Sequence, residues 1–119
     1  QDAESAALEE RRRRERIDVL SVQHAEEAVD SAWSTATADT VFDLIQRFGR
    51  SELSLREIDC RTTRCRLLIE HENSEALNSL VQALPAAWSW DSTLEVFSEQ
   101  QADGSTASTI HIRRDAASG

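Results

Sequence analysis

Hydrophobic residues recur at helical spacing in the first part of the chain and alternate with polar residues after about residue 50. Residues 3–25 contain no glycine or proline and are rich in Ala, Glu, Arg and Leu, which favour helix formation. The apolar stripe within them consists only of Ile17, Leu20 and Val22. The front half of this helix therefore has little to bury, and we expect it to project as an arm or to pack against a second copy.

A second helix is predicted from residue 30 onward. Asp30 stands where a carboxylate can accept hydrogen bonds from the amides two or three residues later. Gly49 is the kind of residue that ends a helix in a left-handed conformation. The apolar positions between them share one helical face: Trp33, Thr37, Val41, Leu44, Ile45 and Phe48. This helix should face a core, with Trp33 as its largest side chain.

The alternating segments 53–60 and 65–71 flank the tetrapeptide RTTR, which predicts a β-hairpin. In the second segment Cys65, Leu67, Ile69 and His71 share one face. The first segment breaks its alternation between Leu55 and Ile58, so a β-bulge is expected near Arg56 and Glu57. His71 and His111 could be neighbours across strands, although a lone histidine on a strand is usually just a half-buried polar residue.

The remaining segments complete the order of the fold. Asp103-Gly104 is a strong hairpin signal, and Asn73 or Ser74 can cap a helix that Pro85 ends. The order of these predicted segments is a helix at 73–85, a strand at 93–100 and a strand at 105–114. We therefore predict an α+β fold, in which two N-terminal helices precede a β-β-α-β-β antiparallel four-stranded sheet packed by helices on one face. The predicted divisions are a helical arm or spacer at 1–29, the α+β domain at 30–114 and a disordered tail at 115–119.

Charge and motif content narrow the possible functions. The chain of 119 residues carries 22 acidic and 13 basic residues, all of the latter arginine, for a net charge of −9. Such a balance weighs against nucleic-acid binding, because neutralisation of phosphate supplies most non-specific affinity. Neither a nucleophile elbow nor a glycine-rich phosphate loop is present in the sequence. We expect a non-enzymatic protein with no cofactor and no metal.

Four interpretations of Cys60 and Cys65 are open. A catalytic redox pair usually has two intervening residues at a helix start, whereas four residues separate these cysteines on predicted strands. A metal site would need further ligands, for which only three histidines are at hand. Two free buried cysteines in a cytosolic domain are the third interpretation. We favour the fourth, a structural disulfide across the hairpin, which implies an oxidising compartment.

The arginines at the hairpin tip and two tryptophans are the candidate binding residues. Arg61, Arg64 and Arg66 are either solvated charges paired with neighbours such as Asp59, or an anion or carboxylate site on a rigid loop. Trp88 and Trp90 are either aromatic anchors for a partner or lids over a small core.

The segments AEEAVDSAW (25–33) and LSLREIDCRTTRCRLLIEH (53–71) carry a resemblance to known proteins. Together with the later Ala/Leu-rich helix and final hairpin, they resemble an uncharacterised group of bacterial exported proteins that bear a Cys-Arg-x-x-x-Cys-Arg hairpin. The resemblance covers residues 25–114 and implies a compartment and a fold but no chemistry. It implies an extracytoplasmic location, in the periplasm or cell envelope, with any membrane contact made by a segment before Gln1.

These observations lead to two hypotheses for function. The first is an interaction domain that binds a protein partner or forms a homodimer through the N-terminal helix. The second is a thiol-disulfide redox or redox-sensing protein that uses Cys60 and Cys65. A weaker third possibility is an RNA- or polyanion-binding module that uses the arginine run and the hairpin tip.

Overall fold

Three helices and four strands make up the part of the protein that the structure describes. The computed structural model describes residues 2–48, 52–72, 74–88 and 91–114. In chain order the elements are α1 (Asp2–Glu26), α2 (Ser31–Phe48), β1 (Leu53–Cys60), β2 (Arg64–His71), α3 (Ser74–Ala87), β3 (Ser92–Gln100) and β4 (Thr106–Arg114). The predicted α+β class and element order are confirmed. No helix within these ranges has both the length and the hydropathy needed to cross a bilayer.

The sheet is antiparallel throughout and its strands lie in the order β1-β2-β4-β3. The two hairpins therefore meet along β2 and β4, and β1 and β3 form the edges. The register of β1 against β2 shifts between Leu55 and Glu57, which confirms the predicted bulge. Gly104 has φ of 90° in the second hairpin turn, a conformation that a side chain would strain.

One face of the sheet, which we call the closed face, is covered by α2 and α3. Asp30 caps α2 as predicted, because its Oδ1 accepts a hydrogen bond from the Trp33 amide at 3.0 Å. Trp33 is buried as expected. The fully buried residues of this core come from both helices and from β2 and β4, and include Val41, Leu67, Ile69, Leu80, Leu84 and Ile110. The hydrophobic core thus lies between the closed face and these two helices.

Among the elements that the structure describes, α1 alone crosses the opposite face, which we call the open face. Arg16 forms an ion pair with Glu95 on β3, and the Arg13 guanidinium donates to the Ser98 carbonyl at 2.7 Å. Leu20 is buried beneath the helix and Ile17 is half-buried, whereas residues 3–12 are exposed. The predicted layer of helices on one face is thus joined by a third layer, which the second half of α1 forms on the open face.

Several boundaries differ from prediction or lie outside the described residues. Helix α3 continues to Ala87 through Pro85, so the prediction that Pro85 ends it is wrong by two residues. Helix boundaries commonly differ by one or two residues. The predicted cap at Asn73, the helix end at Gly49 and the tail at 115–119 lie outside the described ranges.

Candidate functional site

The β1–β2 hairpin is closed by a disulfide between Cys60 and Cys65, which confirms the structural interpretation of this pair. The two residues are directly opposed in the register, with Cα atoms 4.0 Å apart. Ser34 at the start of α2 binds the Cys60 backbone twice, accepting from its amide at 3.0 Å and donating to its carbonyl at 3.2 Å. Both cysteines are completely buried. Thiol-disulfide exchange needs access to a sulfur atom, so this burial weighs against the redox hypothesis.

The arginines of the tip bind carboxylates of the protein itself. Arg61 Nε and Nη2 lie 3.1 Å from the Asp59 carboxylate oxygens, and Arg61 Nη1 donates to the Glu27 carbonyl at 2.9 Å. Arg64 Nε lies 3.6 Å from Glu27 Oε2. Only 22% of the Arg61 side chain and 20% of the Arg64 side chain are exposed. The predicted pairing with Asp59 is therefore present, and the groups that would bind an external anion are already occupied.

The whole tip is docked on the junction between α1 and α2. The Glu27 carboxylate accepts hydrogen bonds from the Thr63 amide, at 2.7 Å, and from the Thr63 hydroxyl. Burial acts to raise the pKa of Glu27, but these hydrogen bonds and the Arg64 charge prevail and lower it. Arg114 at the end of β4 adds hydrogen bonds to the carbonyls of Thr62 and Thr63, at 2.6 and 2.7 Å. The tip therefore serves to fasten helices to the sheet.

Arg66 points away from the tip, to the open face, where two histidines lie near it. It is opposite His111 in the β2–β4 register. Burial lowers the pKa of both His24 and His111, and the Arg66 charge lowers both further. His24 on α1 is 1% exposed, and its Nε2 lies 3.2 Å from Asp59 Oδ2. Sequence reasoning missed His24, although its spacing of four from Leu20 continues the apolar stripe of α1.

The two strand histidines lie on opposite faces of the sheet, so the prediction that they are neighbours is wrong. His71 is buried on the closed face, where its Nε2 lies 2.7 Å from Ser108 Oγ. His111 pairs in register with Arg66 and Glu95 on the open face. In the β2–β4 register Thr106, and not His111, lies opposite His71. Side chains alternate between the two faces along a strand, so His111, five residues after Thr106, lies on the other face.

Trp88 packs half-buried against the core and donates from Nε1 to Ser92 Oγ at 3.1 Å. This placement fits a lid over the core better than a displayed anchor. Trp90, the other candidate, lies outside the described residues.

A groove of about 260 Å³ separates α1 from part of the open face. Its floor is formed by Leu68, Phe97, Ala107 and Thr109, and Ile17 forms a wall. Four charged side chains surround it, two basic and two acidic: Arg13, Arg14, Asp18 and Glu99. His111 also lines it, so the groove combines an apolar floor with a buried imidazole.

In the described ranges, no three side chains among His, Cys, Asp and Glu are grouped so that they could hold a metal ion. Comparison with models of known protein families gives no match, and comparison with curated proteins gives none either. The resemblance to the exported bacterial group stays a prediction.

Proposed function

We propose that this chain is a non-enzymatic, extracytoplasmic domain of a bacterial envelope or secreted protein, and that it self-associates through α1. The compartment is supported by the Cys60–Cys65 disulfide, since such bonds persist mainly in oxidising environments. Self-association is supported by the surface of α1 that faces away from the sheet. That surface is the observation that carries the proposal.

The outward surface of α1 has the spacing of a coiled-coil seam. Its residues recur at intervals of four and three: Leu8, Arg12, Glu15, Val19 and Val22. The three apolar side chains are 43%, 45% and 56% exposed. On a helical wheel these five positions lie opposite Ile17, Leu20 and His24, which contact the sheet. We call them the α1 seam.

The α1 seam is complementary to itself when two helices pair antiparallel. With the two-fold axis between Arg12 and Glu15, Arg12 meets the partner's Glu15 and Leu8 meets the partner's Val19, and each pair occurs twice. A parallel pair would instead set Arg12 against Arg12 and Glu15 against Glu15, which is repulsive. In the part of the protomer that the structure describes, neither Arg12 nor Glu15 forms an ion pair. Both charges are therefore at hand for a second copy.

The expected association is weak and reversible. A single seam of five residues buries less area than the roughly 1,000 Å² typical of a stable interface. The exposed first half of α1 is short for an isolated helix, which is marginal below about 12–15 residues, so pairing would also stabilise it.

Sedimentation equilibrium over a concentration series tests this proposal. We expect the single variants Arg12→Glu and Glu15→Arg to dissociate the dimer, because each sets like charges opposite one another. The double variant R12E/E15R exchanges the two charges and should restore association. Arg14→Glu makes the same change of charge outside the α1 seam and should leave the dimer unchanged.

A wild-type protein that stays monomeric at millimolar concentration would eliminate self-association. So would single and double variants that behave alike. Point substitutions are preferable to removal of residues 1–25, because that deletion would also uncover the open face of the sheet.

A further inference from the structure

The groove between α1 and the open face is lined by an imidazole, that of His111. His111 is 8% exposed, and its ring meets Phe97 edge-on with centroids 6.0 Å apart. In the described structure it has no hydrogen bond or ion pair. Its ring nitrogens are not among the fully enclosed polar atoms, so they can be reached from the groove. Because the ring lines the groove, a ligand bound there would meet a donor or acceptor without a protein partner.

The electrostatic surroundings of His111 favour an anion. Arg66 lies opposite His111 in the β2–β4 register and forms no ion pair within the described structure. Burial first, and then the Arg66 charge, lower the pKa of His111 to about 4. Arg64 is paired with Glu27, and the Glu95 charge is compensated by the ion pair with Arg16. A carboxylate beside the imidazole would therefore be attracted by the uncompensated charge of Arg66.

The residues at the rim and the floor of the groove restrict the charge and the size of the rest of the ligand. Arg13 and Arg14 bring two positive charges to the groove, and Asp18 and Glu99 bring two negative ones. The acidic pair would repel a second anionic group, so a single carboxylate is favoured. Leu68 and Phe97 offer apolar surface. A volume of about 260 Å³ is below the range of roughly 300–1,000 Å³ for drug-sized ligands, so the body is limited to one ring or a short branched chain.

We propose that this groove binds a small monocarboxylic acid, with its carboxylate at His111 and its apolar aromatic or branched body against Leu68 and Phe97. The site is separate from the α1 seam, which lies on the other side of the helix. It therefore goes beyond self-association, and either proposal can fail without the other.

NMR titration of the isotopically labelled full chain with phenylacetate tests the site. Phenylacetamide serves as the neutral analogue of the same shape and phenethylamine as the cationic one. We expect saturable shifts at Ile17, Leu68 and the His111 ring with the acid, and affinity about tenfold lower for the amide. Binding of the acid should also raise the pKa of His111, because an adjacent carboxylate favours the protonated ring.

Two substitutions separate a ligand site from general charge attraction. His111→Phe keeps an aromatic ring but removes the hydrogen bond to the ligand. It should weaken the binding of phenylacetate and leave the binding of phenylacetamide unchanged. Arg14→Gln should weaken binding of the acid, whereas Arg11→Gln, an equal loss of charge on the exposed part of α1, should not. If H111F does not fold, the comparison of R14Q with R11Q and the shifts of the wild-type His111 ring resonances still test the proposal.

Three results would overturn the proposal. The first is an absence of saturable shifts up to about 10 mM phenylacetate, a concentration at which even a millimolar site would be mostly filled. The second is an amide or amine that binds as tightly as the acid. The third is equal weakening by R14Q and R11Q.

Discussion

The two faces of the sheet are built from adjacent residues of the same strands, yet they differ in how they are covered. On the closed face, Leu67 and Ile110 are completely buried beneath two helices. On the open face, Leu68 is only half-buried, and the single helix α1 leaves a groove beside it. One helix about 10 Å wide cannot cover four strands spaced at roughly 4.8 Å. His24 and His111 lie on this face, where packing is incomplete.

The largest expected difference between the faces comes from Leu67 and Leu68, which are neighbours on β2. Leu67→Ala should lower the free energy of unfolding by about 2–5 kcal/mol, because it leaves a cavity in a closed core. Leu68→Ala should cost about 1 kcal/mol, since its site is partly open already. Urea unfolding of both variants measures the two costs. Equal costs would mean that the open face is as tightly packed as the closed one.

Acid should destabilise the protein chiefly through the open face. The folded-state pKa of His111 is about 4, below the unfolded value of about 6.5, so between these limits the unfolded chain binds the proton that the folded chain excludes. Stability is therefore complete above about pH 6.5 and falls towards pH 4, by at most about 3 kcal/mol from this group. His24, whose pKa is also lowered by burial, adds to the loss in the same direction.

The free energies of unfolding of wild type and His111→Gln, measured in urea between pH 8 and pH 4, test this prediction. The variant should show a flatter dependence over this range. Below it, both proteins should lose further stability, because Asp59 and Glu95 have lowered pKa values. Identical profiles would show that His111 does not titrate as the structure indicates.

The disulfide belongs to the closed face, and its removal should have a moderate effect. A bond that closes a loop this short is worth about 2 kcal/mol on the chain-entropy model, so the double variant C60A/C65A should be destabilised by about that amount. In the native protein the bond should resist dithiothreitol until urea unfolds the chain, since both cysteines are buried. Thiol release can be followed with a chromogenic thiol reagent. Fast reduction of the folded protein would instead revive the redox hypothesis.

Local sequence signals were sufficient for the elements and for the hairpin disulfide. The Asp30 cap, the bulge before Glu57 and the turn at Gly104 each depend on neighbours within a few residues. The opposition of Cys60 and Cys65 follows once the hairpin register is known. These features need no knowledge of tertiary contacts.

The candidate site depended on contacts that no local pattern reveals. Arg13 and Arg16 on α1 reach partners on β3 that are 85 and 79 residues away. The tip arginines have the pattern of an anion site, but the Glu27 carboxylate lies beside Arg64. Charged side chains of this kind have many possible partners in a sequence with 22 acidic residues, so only the tertiary structure selects among them.

The contacts between α1 and β3 also constrain how the chain acquires its structure. Helix α1 is synthesised well before Glu95 and Ser98 on β3. Long-range contacts of this type form slowly, because a long segment must be ordered before they are gained. We expect the docking of α1 to be a late folding step, so that a chain interrupted before β3 would present Leu20 and His24 to the solvent and to chaperones or proteases.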